Sequence, residues 1–345
     1  MIRFSKIFLT FTVTVLVLWL LPWCYNFLFT SSYQTPFTLY SCIIDDFVSL
    51  SYDQKTEKLV RIDTHKNTYT QEEADSILPL FYARQLTADE RFPDSINGIA
   101  VTPREVHMSN FVKRINSADI NTPKINLHPL LESMSGRVDL KMSEDVFRIT
   151  DKGIEFILME NNQLNKEKSD KFTQVLTNKG FKFPAKYIAG DPNTRKDYDE
   201  GYLLLDAEGK LFHMKQMRGR PYVRAIEIPE GMDITHLFIT EFPNRKTLGF
   251  ISDAQHKFYV LMAKTYEIIE TGVPAYNPNK DELLIIGDMF NWTVSVGTDK
   301  EETFYALDAN DFSLIQTLAF PVESSNFSII SFTSYKDNYV RPRLF

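Results

Sequence analysis

Polar residues in two turn-rich stretches are the best candidates for chemistry in this chain. PDSING (93–98) and LESMSGR (131–137) place carboxylate, amide and guanidinium groups among turn-forming Ser and Gly, between apolar runs. Functional residues concentrate on such loops, although each stretch is also compatible with an ordinary surface loop. Because these groups can hydrogen-bond a ligand, the sequence predicts ligand binding by four residues: Asp94, Asn97, Glu132 and Arg137.

The short motifs that mark common active sites are missing from the sequence. It has no H-E-x-x-H, G-x-S-x-G, P-loop, G-x-G-x-x-G or C-x-x-C pattern. Its six histidines are scattered, and its two cysteines, Cys24 and Cys42, are too few for a disulfide framework or a cysteine zinc site. We therefore expect no metal and no cofactor, and favour a protein that is not an enzyme.

The acidic stretch DPNTRKDYDE (191–200) resembles the start of a calcium-binding loop. The resemblance fails at three ligand or turn positions, which hold Arg195, Lys196 and Tyr202 in place of a ligand, the glycine and the bidentate glutamate. The sequence therefore predicts a solvated acidic loop between strands.

Composition excludes several classes of protein. The chain has 345 residues, of which 43% are hydrophobic, so it can bury one large core or two ordinary ones and is neither disordered nor fibrous. Its formal net charge is −7, from 38 Lys and Arg against 45 Asp and Glu. A chain of that sign repels nucleic acid, so we expect no nucleic-acid partner.

The N-terminal residues predict a membrane anchor. Residues 7–29 form an uncharged, mostly apolar run that is long enough, as a helix, to cross a bilayer. Arg3 and Lys6 precede the run, whereas the first charges after it are Asp45 and Asp46. Because basic residues stay on the cytoplasmic side, this asymmetry predicts a cytoplasmic N-terminus and a single-pass protein of the inner membrane.

This prediction divides the chain into a cytoplasmic tip and a periplasmic bulk. Residues 1–6 form the tip, 7–29 the signal-anchor helix, 30–36 a linker and 37–345 the extracytoplasmic domain. A cleaved signal peptide is the main alternative, but bulky residues flank the small-residue cluster that a peptidase would need. A buried core helix is a further alternative.

Five segments after the linker predict β-hairpins. In each segment, an apolar strand runs up to a turn that holds an aspartate, and a second strand follows. The segments are LVRIDTHKNTY (59–69), VFRITDKGIEF (146–156), LLLDAEGKLF (203–212), GFISDAQHKFY (249–259) and YALDANDFSL (305–314).

The spacing of these turns favours a repeat architecture. The last three steps between the turn aspartates are similar in length, which is typical of propeller blades. We therefore predict a mainly β protein, with a β-propeller-like array of antiparallel sheets whose turn aspartates are equivalent. An ordinary sandwich or two small β domains are the alternatives. Pairing of residues 327–332 with residues 37–44 would close the ring.

Two helical regions interrupt the predicted strands. Thr70 and Glu73 form a capping box before apolar residues at helical spacing, which predicts a helical insertion near 71–134. A second helix is predicted from Lys166 to Asn178, with Asn165 as its N-cap.

Several longer phrases resemble one protein family. They are LYSCIIDDF (39–47), SILPLFYARQL (76–86), FPDSINGIAVTP (92–103), LESMSGRVDLKM (131–142) and ITEFPNRKTLGF (239–250). In this order, behind an anchor, they resemble a domain-of-unknown-function family of anaerobic Gram-negative gut bacteria. Members of that family are encoded beside ABC transporter subunits, so the resemblance implies a transporter-associated membrane protein and assigns no reaction.

Two hypotheses for function follow. The first is a non-enzymatic accessory or sensor protein, anchored in the inner membrane, whose periplasmic domain binds a ligand or an ABC transporter subunit. The second is a hydrolase of cell-envelope or other glycans on a propeller scaffold, which would need two carboxylates about 5–9.5 Å apart in a concave pocket.

Overall fold

The chain folds into several antiparallel sheets behind one N-terminal apolar helix. A computed structural model describes residues 2–29, 35–53, 58–134, 139–322, 330–331 and 343–344. More of the described residues lie in strands than in helices, so the protein is mainly β, as the sequence predicts.

Helix α1 (Ile2–Phe29) is long and apolar enough to form a single membrane span or a signal anchor. Its mean hydropathy is 2.0 over Arg3–Leu21, and none of that stretch is buried against the rest of the protein. Three threonine hydroxyls donate hydrogen bonds to carbonyls four residues earlier, so these polar groups are satisfied within the helix: Thr10, Thr12 and Thr14.

The first sheet begins shortly after α1. Its four strands pair in chain order: β1 (Phe37–Ser41), β2 (Asp46–Asp53), β3 (Lys58–Asp63) and β4 (Thr68–Tyr69).

A region of short elements follows the first sheet. Thr70 and Glu73 form the predicted capping box at the first helix, and Thr102 and Glu105 form another at the third. The elements are α2 (Gln71–Ile77), α3 (Ala83–Ala88), β5 (Ser95–Ile96), β6 (Ile99–Ala100), α4 (Pro103–Ser109), β7 (Phe111–Ile115) and α5 (Ser117–Asn121). Strand β7 leaves this region to pair with β19 of the fifth sheet.

Four further sheets follow in the chain, and consecutive strands pair with each other in all of them. The second is β8 (His128–Pro129), β9 (Asp145–Ile149) and β10 (Ile154–Leu158), followed by α6 (Lys166–Asn178). The third is β11 (Tyr187–Gly190), β12 (Tyr202–Leu205), β13 (Leu211–Met217) and β14 (Arg220–Ile226). The fourth is β15 (Ile234–Ile239), β16 (Thr247–Asp253), β17 (Phe258–Met262) and β18 (Ile268–Glu270). The fifth is β19 (Glu282–Gly287), β20 (Asn291–Gly297), β21 (Glu301–Asp308) and β22 (Leu314–Pro321), with β7 at its edge.

All five predicted hairpins are present as antiparallel pairs. The prediction that their aspartates are equivalent is wrong. Asp206 and Asp253 lie between the second and third strands of their sheets, whereas Asp63 and Asp308 lie between the third and fourth. An aspartate that closes a turn needs only a position at the end of a strand, so it recurs at hairpins regardless of their place in a sheet.

Helix α6 has the predicted bounds and the predicted cap. The Asn165 side chain accepts a hydrogen bond from the Lys168 N–H, and Phe172 and Leu176 are buried on one face. That face packs on the second and third sheets, which share one hydrophobic core.

Sheets that follow one another in the chain share hydrophobic cores from the second sheet onward. The second and third sheets share one core, the third and fourth another, and the fourth and fifth a third. The fifth sheet then packs on the first through Tyr40, Phe47, Phe304 and Ala306. Each of the five sheets therefore buries apolar side chains against at least one other sheet, because a sheet cannot cover its own apolar face.

The predicted closure by the C-terminal segment is wrong where the structure describes it. Strand β23 (Ile330–Ser331) pairs with β24 (Arg343–Leu344), and among the described strands β1 pairs with β2 alone. The remainder of residues 327–332 lies outside the described residues. Side-chain packing between the first and fifth sheets takes the place of the predicted strand pairing.

Candidate functional site

A cavity of about 370 Å³ lies where the first sheet meets the fifth. Its walls come from the end of β1 with Cys42 (39–42), the connection from α2 to α3 (77–81), the start of β7 with Asn110 (110–112) and the hairpin of β19 and β20 (286–288, 291 and 293). The volume is within the range of about 300–1,000 Å³ that is typical of small-molecule sites.

Local sequence explains how these walls form. Pro79 follows the C-cap of α2 and stops the helix, so the chain lines the cavity as an irregular segment. The Tyr40 N–H donates a hydrogen bond of 2.9 Å to the Thr293 Oγ1, which joins β1 to β20 beside the cavity. Most of the lining is apolar, including Leu39, Leu78 and Phe81.

Asp288 is the one carboxylate among the residues found to line this cavity. Its Oδ1 accepts hydrogen bonds from the N–H groups of Phe290 (2.7 Å) and Asn291 (2.9 Å), so it also closes the turn between β19 and β20. Burial raises the pKa of Asp288 to about 6, against the opposing effect of these two hydrogen bonds. The carboxylate is therefore ionised at neutral pH but can take up a proton in mild acid.

Two amides accompany Asp288 in the lining. The Asn110 Nδ2 donates to the Leu80 carbonyl at 2.7 Å, while its Oδ1 is buried without a hydrogen-bond partner among the described residues. Asn291 is only 3% exposed. Within the described part of the chain, its side-chain amide makes no hydrogen bond. The Asn291 amide is therefore a point at which a ligand can bind, whereas the Asn110 Oδ1 has almost no surface that a ligand could reach.

Cys42 also faces this cavity, and its environment makes it unreactive. Burial, with a smaller effect from the charge of Asp288, raises the pKa of the Cys42 thiol to about 12. The thiol therefore stays protonated and is a poor nucleophile at neutral pH.

The four residues predicted to bind a ligand have different surroundings. The Asn97 Nδ2 donates to the Cys42 carbonyl at 3.0 Å, so Asn97 supports the cavity wall from outside, while Asp94 is exposed. Glu132 accepts from the N–H groups of Arg218 (2.7 Å) and Gly219 (2.6 Å) and so closes the turn between β13 and β14. Arg137 lies outside the described residues. Their binding role stays a prediction.

The acidic stretch 191–200 is a loop between β11 and β12, as the sequence predicts, and Asp191 and Asp197 are exposed, but part of the loop is buried. Lys196 is 12% exposed, and its Nζ lies 2.9 Å from the Asp199 Oδ2 and 2.6 Å from the Glu241 Oε1. Asp199 and Glu241 are only 3% and 4% exposed. The prediction of a solvated loop is wrong for this part, because Glu241 comes from the distant connection of β15 to β16 and pairs with Lys196.

This buried cluster has one shared ammonium group for two carboxylates. Burial raises the pKa of Glu241 to about 7 and that of Asp199 in the same direction, because Lys196 only partly offsets the loss of water. The glycan-hydrolase hypothesis needs two carboxylates that converge, and these two meet at one Lys196 Nζ. They are, however, sealed from solvent and occupied by Lys196, so this geometry does not favour that hypothesis.

Metal chemistry has no support in the described residues. Among them, no group of three or more His, Cys, Asp or Glu side chains is placed to hold a metal ion.

Comparison with known proteins assigns a family. Residues 37–307 match the model of a domain of unknown function, DUF4857. The chain belongs to this family. Among curated proteins, none matches the chain.

Three solved structures share a distant likeness with this DUF4857 protein. PorZ, a surface component of the type-IX secretion system of Porphyromonas gingivalis, is 12% identical with a TM-score of 0.26, over 87% of this chain and 30% of PorZ. The chain thus spans less than a third of the length of PorZ. The Cps50 (Swd1) β-propeller domain of Myceliophteria thermophila is 8% identical with a TM-score of 0.27, over 87% and 93% of the two chains. The dihydro-heme d1 dehydrogenase NirN is 10% identical with a TM-score of 0.26, over 76% and 68%.

Sequence reasoning missed the cavity because its walls come from four separate parts of the chain. One signal was available for Asp288. The segment GDMFNW (287–292) places an aspartate between two apolar strands, as in the five predicted hairpins. Nothing local in the sequence indicates that this turn faces Cys42 or Asn110.

Proposed function

We propose that this DUF4857 protein is a membrane-anchored accessory or sensor protein that binds a small molecule in the cavity between its first and fifth sheets. The cavity is the observation that carries the proposal. It combines an apolar lining with a few polar groups, Asp288, Asn110 and Asn291, which is the usual composition of a ligand site.

The proposed location is the inner membrane, with the β domain in the periplasm. Helix α1 supports a single span by its length and hydropathy. Arg3 and Lys6 before the apolar run support a cytoplasmic N-terminus.

We further propose that the five sheets form a propeller-like array and that the partner is an ABC transporter subunit. Support for the array comes from the sequential sharing of cores between sheets. Support for the transporter comes from the family resemblance of the sequence phrases. Ligand binding beside β1 would then be signalled to a membrane partner.

The cavity can be tested by blocking its mouth. Val112 lines the cavity and is 64% exposed, so Val112→Trp should obstruct entry with little effect on folding. Ile125→Trp is a matched control, because Ile125 is 79% exposed and outside the lining. The full chain is purified from membranes, and bound small molecules are identified by mass spectrometry.

A molecule that copurifies with the native chain and with Ile125→Trp, but not with Val112→Trp, is the expected result. If the native chain and Val112→Trp carry the same molecules in the same amounts, the cavity is not the binding site and the proposal fails.

A further inference from the structure

We infer that the cavity takes an amine with an apolar body, whose ammonium group pairs with Asp288. This inference rests on the proposed function and names the chemical class of its ligand.

The charge of the lining points to a cation. Among the residues that line the cavity, Asp288 carries a negative charge at neutral pH, and none is Lys, Arg or His. A carboxylate ligand would therefore meet a like charge and no cation, which disfavours anions. An ammonium group would form a charge-assisted hydrogen bond with Asp288, and such a bond is stronger in a cavity than in bulk water.

Strand pairing fixes the position of the carboxylate at the cavity wall. Gly287 of β19 is paired with Phe111 of β7 in an antiparallel ladder, and Asp288 directly follows Gly287. All three residues line the cavity.

One oxygen of Asp288 is free to accept from a ligand. Asp288 uses Oδ1 for its turn, and its Oδ2 makes no hydrogen bond to any described residue. An ammonium group has three N–H donors and no acceptor, so it matches an ionised carboxylate better than a hydroxyl or another carboxylate does.

The rest of the lining defines the rest of the ligand. Leu39, Leu78, Leu80 and Ile286 present aliphatic surface, which binds a hydrocarbon body. A free metal ion or a small inorganic cation would leave that surface without contact. The site therefore fits an aliphatic or aromatic amine rather than an ion alone.

The test uses three probes of matched length: hexylamine, hexan-1-ol and hexanoate. The full chain is reconstituted in phosphatidylcholine liposomes with Trp19→Phe and Trp23→Phe, so that Trp292 is the remaining tryptophan. Trp292 reports on the cavity because its ring lies 5.0 Å from that of Phe111, which lines it. Binding is measured as the change in tryptophan fluorescence.

We expect hexylamine to bind at least tenfold more tightly than hexanol or hexanoate at pH 7.5. Asp288→Asn keeps an oxygen for the two turn N–H groups but removes the charge. It should weaken hexylamine binding at least tenfold and change hexanol binding less than twofold. A structural role for Asp288 alone would reduce both affinities equally and would overturn the inference.

The native protein supplies a measurement that does not depend on how a variant folds. Hexylamine affinity should fall as the pH is lowered through about 6, because Asp288 then takes up a proton, whereas hexanol affinity should not change. Hexanol binding without a preference for the amine would overturn the amine class and leave the proposed function standing. Binding of none of the three probes would overturn both.

Discussion

Single carboxylates hold several hairpin turns of this protein together. Asp253 is buried, and its Oδ1 accepts from the N–H groups of Gln255 and Lys257, while its Oδ2 accepts from the Tyr259 hydroxyl at 2.8 Å. At the hairpin of β9 and β10 the same role falls to Thr150, whose Oγ1 accepts from the Lys152 N–H. The aspartate next to it, Asp151, is exposed.

These two turns give a matched pair of variants. We predict that Asp253→Ala lowers the free energy of unfolding by about 1–3 kcal/mol, because it leaves buried N–H and hydroxyl groups without their acceptor. Asp151→Ala should change it by less than about 0.5 kcal/mol, because that side chain is at the surface. Urea unfolding of both variants checks the difference. Equal losses would contradict the assignment of the turn-closing role to Asp253 and Thr150.

The buried cation Lys196 should contribute far more than a cation at the surface. Lys196→Met leaves Asp199 and Glu241 buried without their shared partner, so we predict a loss of about 3–5 kcal/mol. Lys257 pairs with Glu270 at the surface, so Lys257→Met should have little effect on the free energy of unfolding. Denaturant unfolding compares the two variants, and a loss at Lys196 no larger than that at Lys257 would contradict the prediction.

Glu241 should make stability depend on pH in a defined direction. Because its pKa is raised to about 7, the folded state holds more protons than the unfolded state between about pH 4.5 and 7. Glu241 therefore stabilises the folded state most below about pH 4.5, where it is protonated, and this stabilisation is lost as the pH rises to 7. Glu241→Gln should reduce the change in the free energy of unfolding with pH, as measured by urea unfolding across this range. The exposed control Glu270→Gln should leave that pH dependence unchanged.

Helices and hairpins could be predicted because their determinants are local. The cap at Asn165, the capping box at Thr70 and the five hairpins each depend on residues within one short segment. The long-range partnerships could not be predicted. Strand β7 pairs with β19 across more than 160 positions of sequence, and Glu241 reaches Lys196 across 45. The cavity depends on such partnerships, so no segment of the sequence contains its pattern.

The cap of α6 offers a test at the scale of one element. Asn165→Ala removes the acceptor for the Lys168 N–H, so we predict a loss of about 1 kcal/mol in the free energy of unfolding. Asn165→Asp keeps an acceptor at the same position and should stay close to the native value. Thermal unfolding followed by circular dichroism measures both, and a loss that is the same in the two variants would show that the cap bond is not the cause.

At the scale of the whole molecule, the proposed ligand site lies close in sequence to the proposed anchor. Only residues 30–36 separate α1 from β1, and Leu39 to Cys42 at the end of β1 line the cavity. The opposite wall belongs to the fifth sheet, more than 240 residues later. The cavity therefore joins the segment nearest the proposed anchor to the last of the five sheets, which suits the proposed role of reporting ligand binding to a membrane partner.

The orientation of the chain in the membrane gives the last prediction. Because Arg3 and Lys6 precede the apolar run and no charge follows it until Asp45, a reporter fused after Phe345 should be active only if it requires the periplasm. The protein should also remain in the membrane after an alkaline wash, since a helix that spans the bilayer is held by its buried apolar surface. Replacing Leu16 and Leu18 by Asp is the control, because charges at the centre of the span should prevent stable insertion. Activity of a cytoplasm-only reporter would reverse the orientation, and release of the native domain into the soluble fraction would show cleavage rather than anchoring.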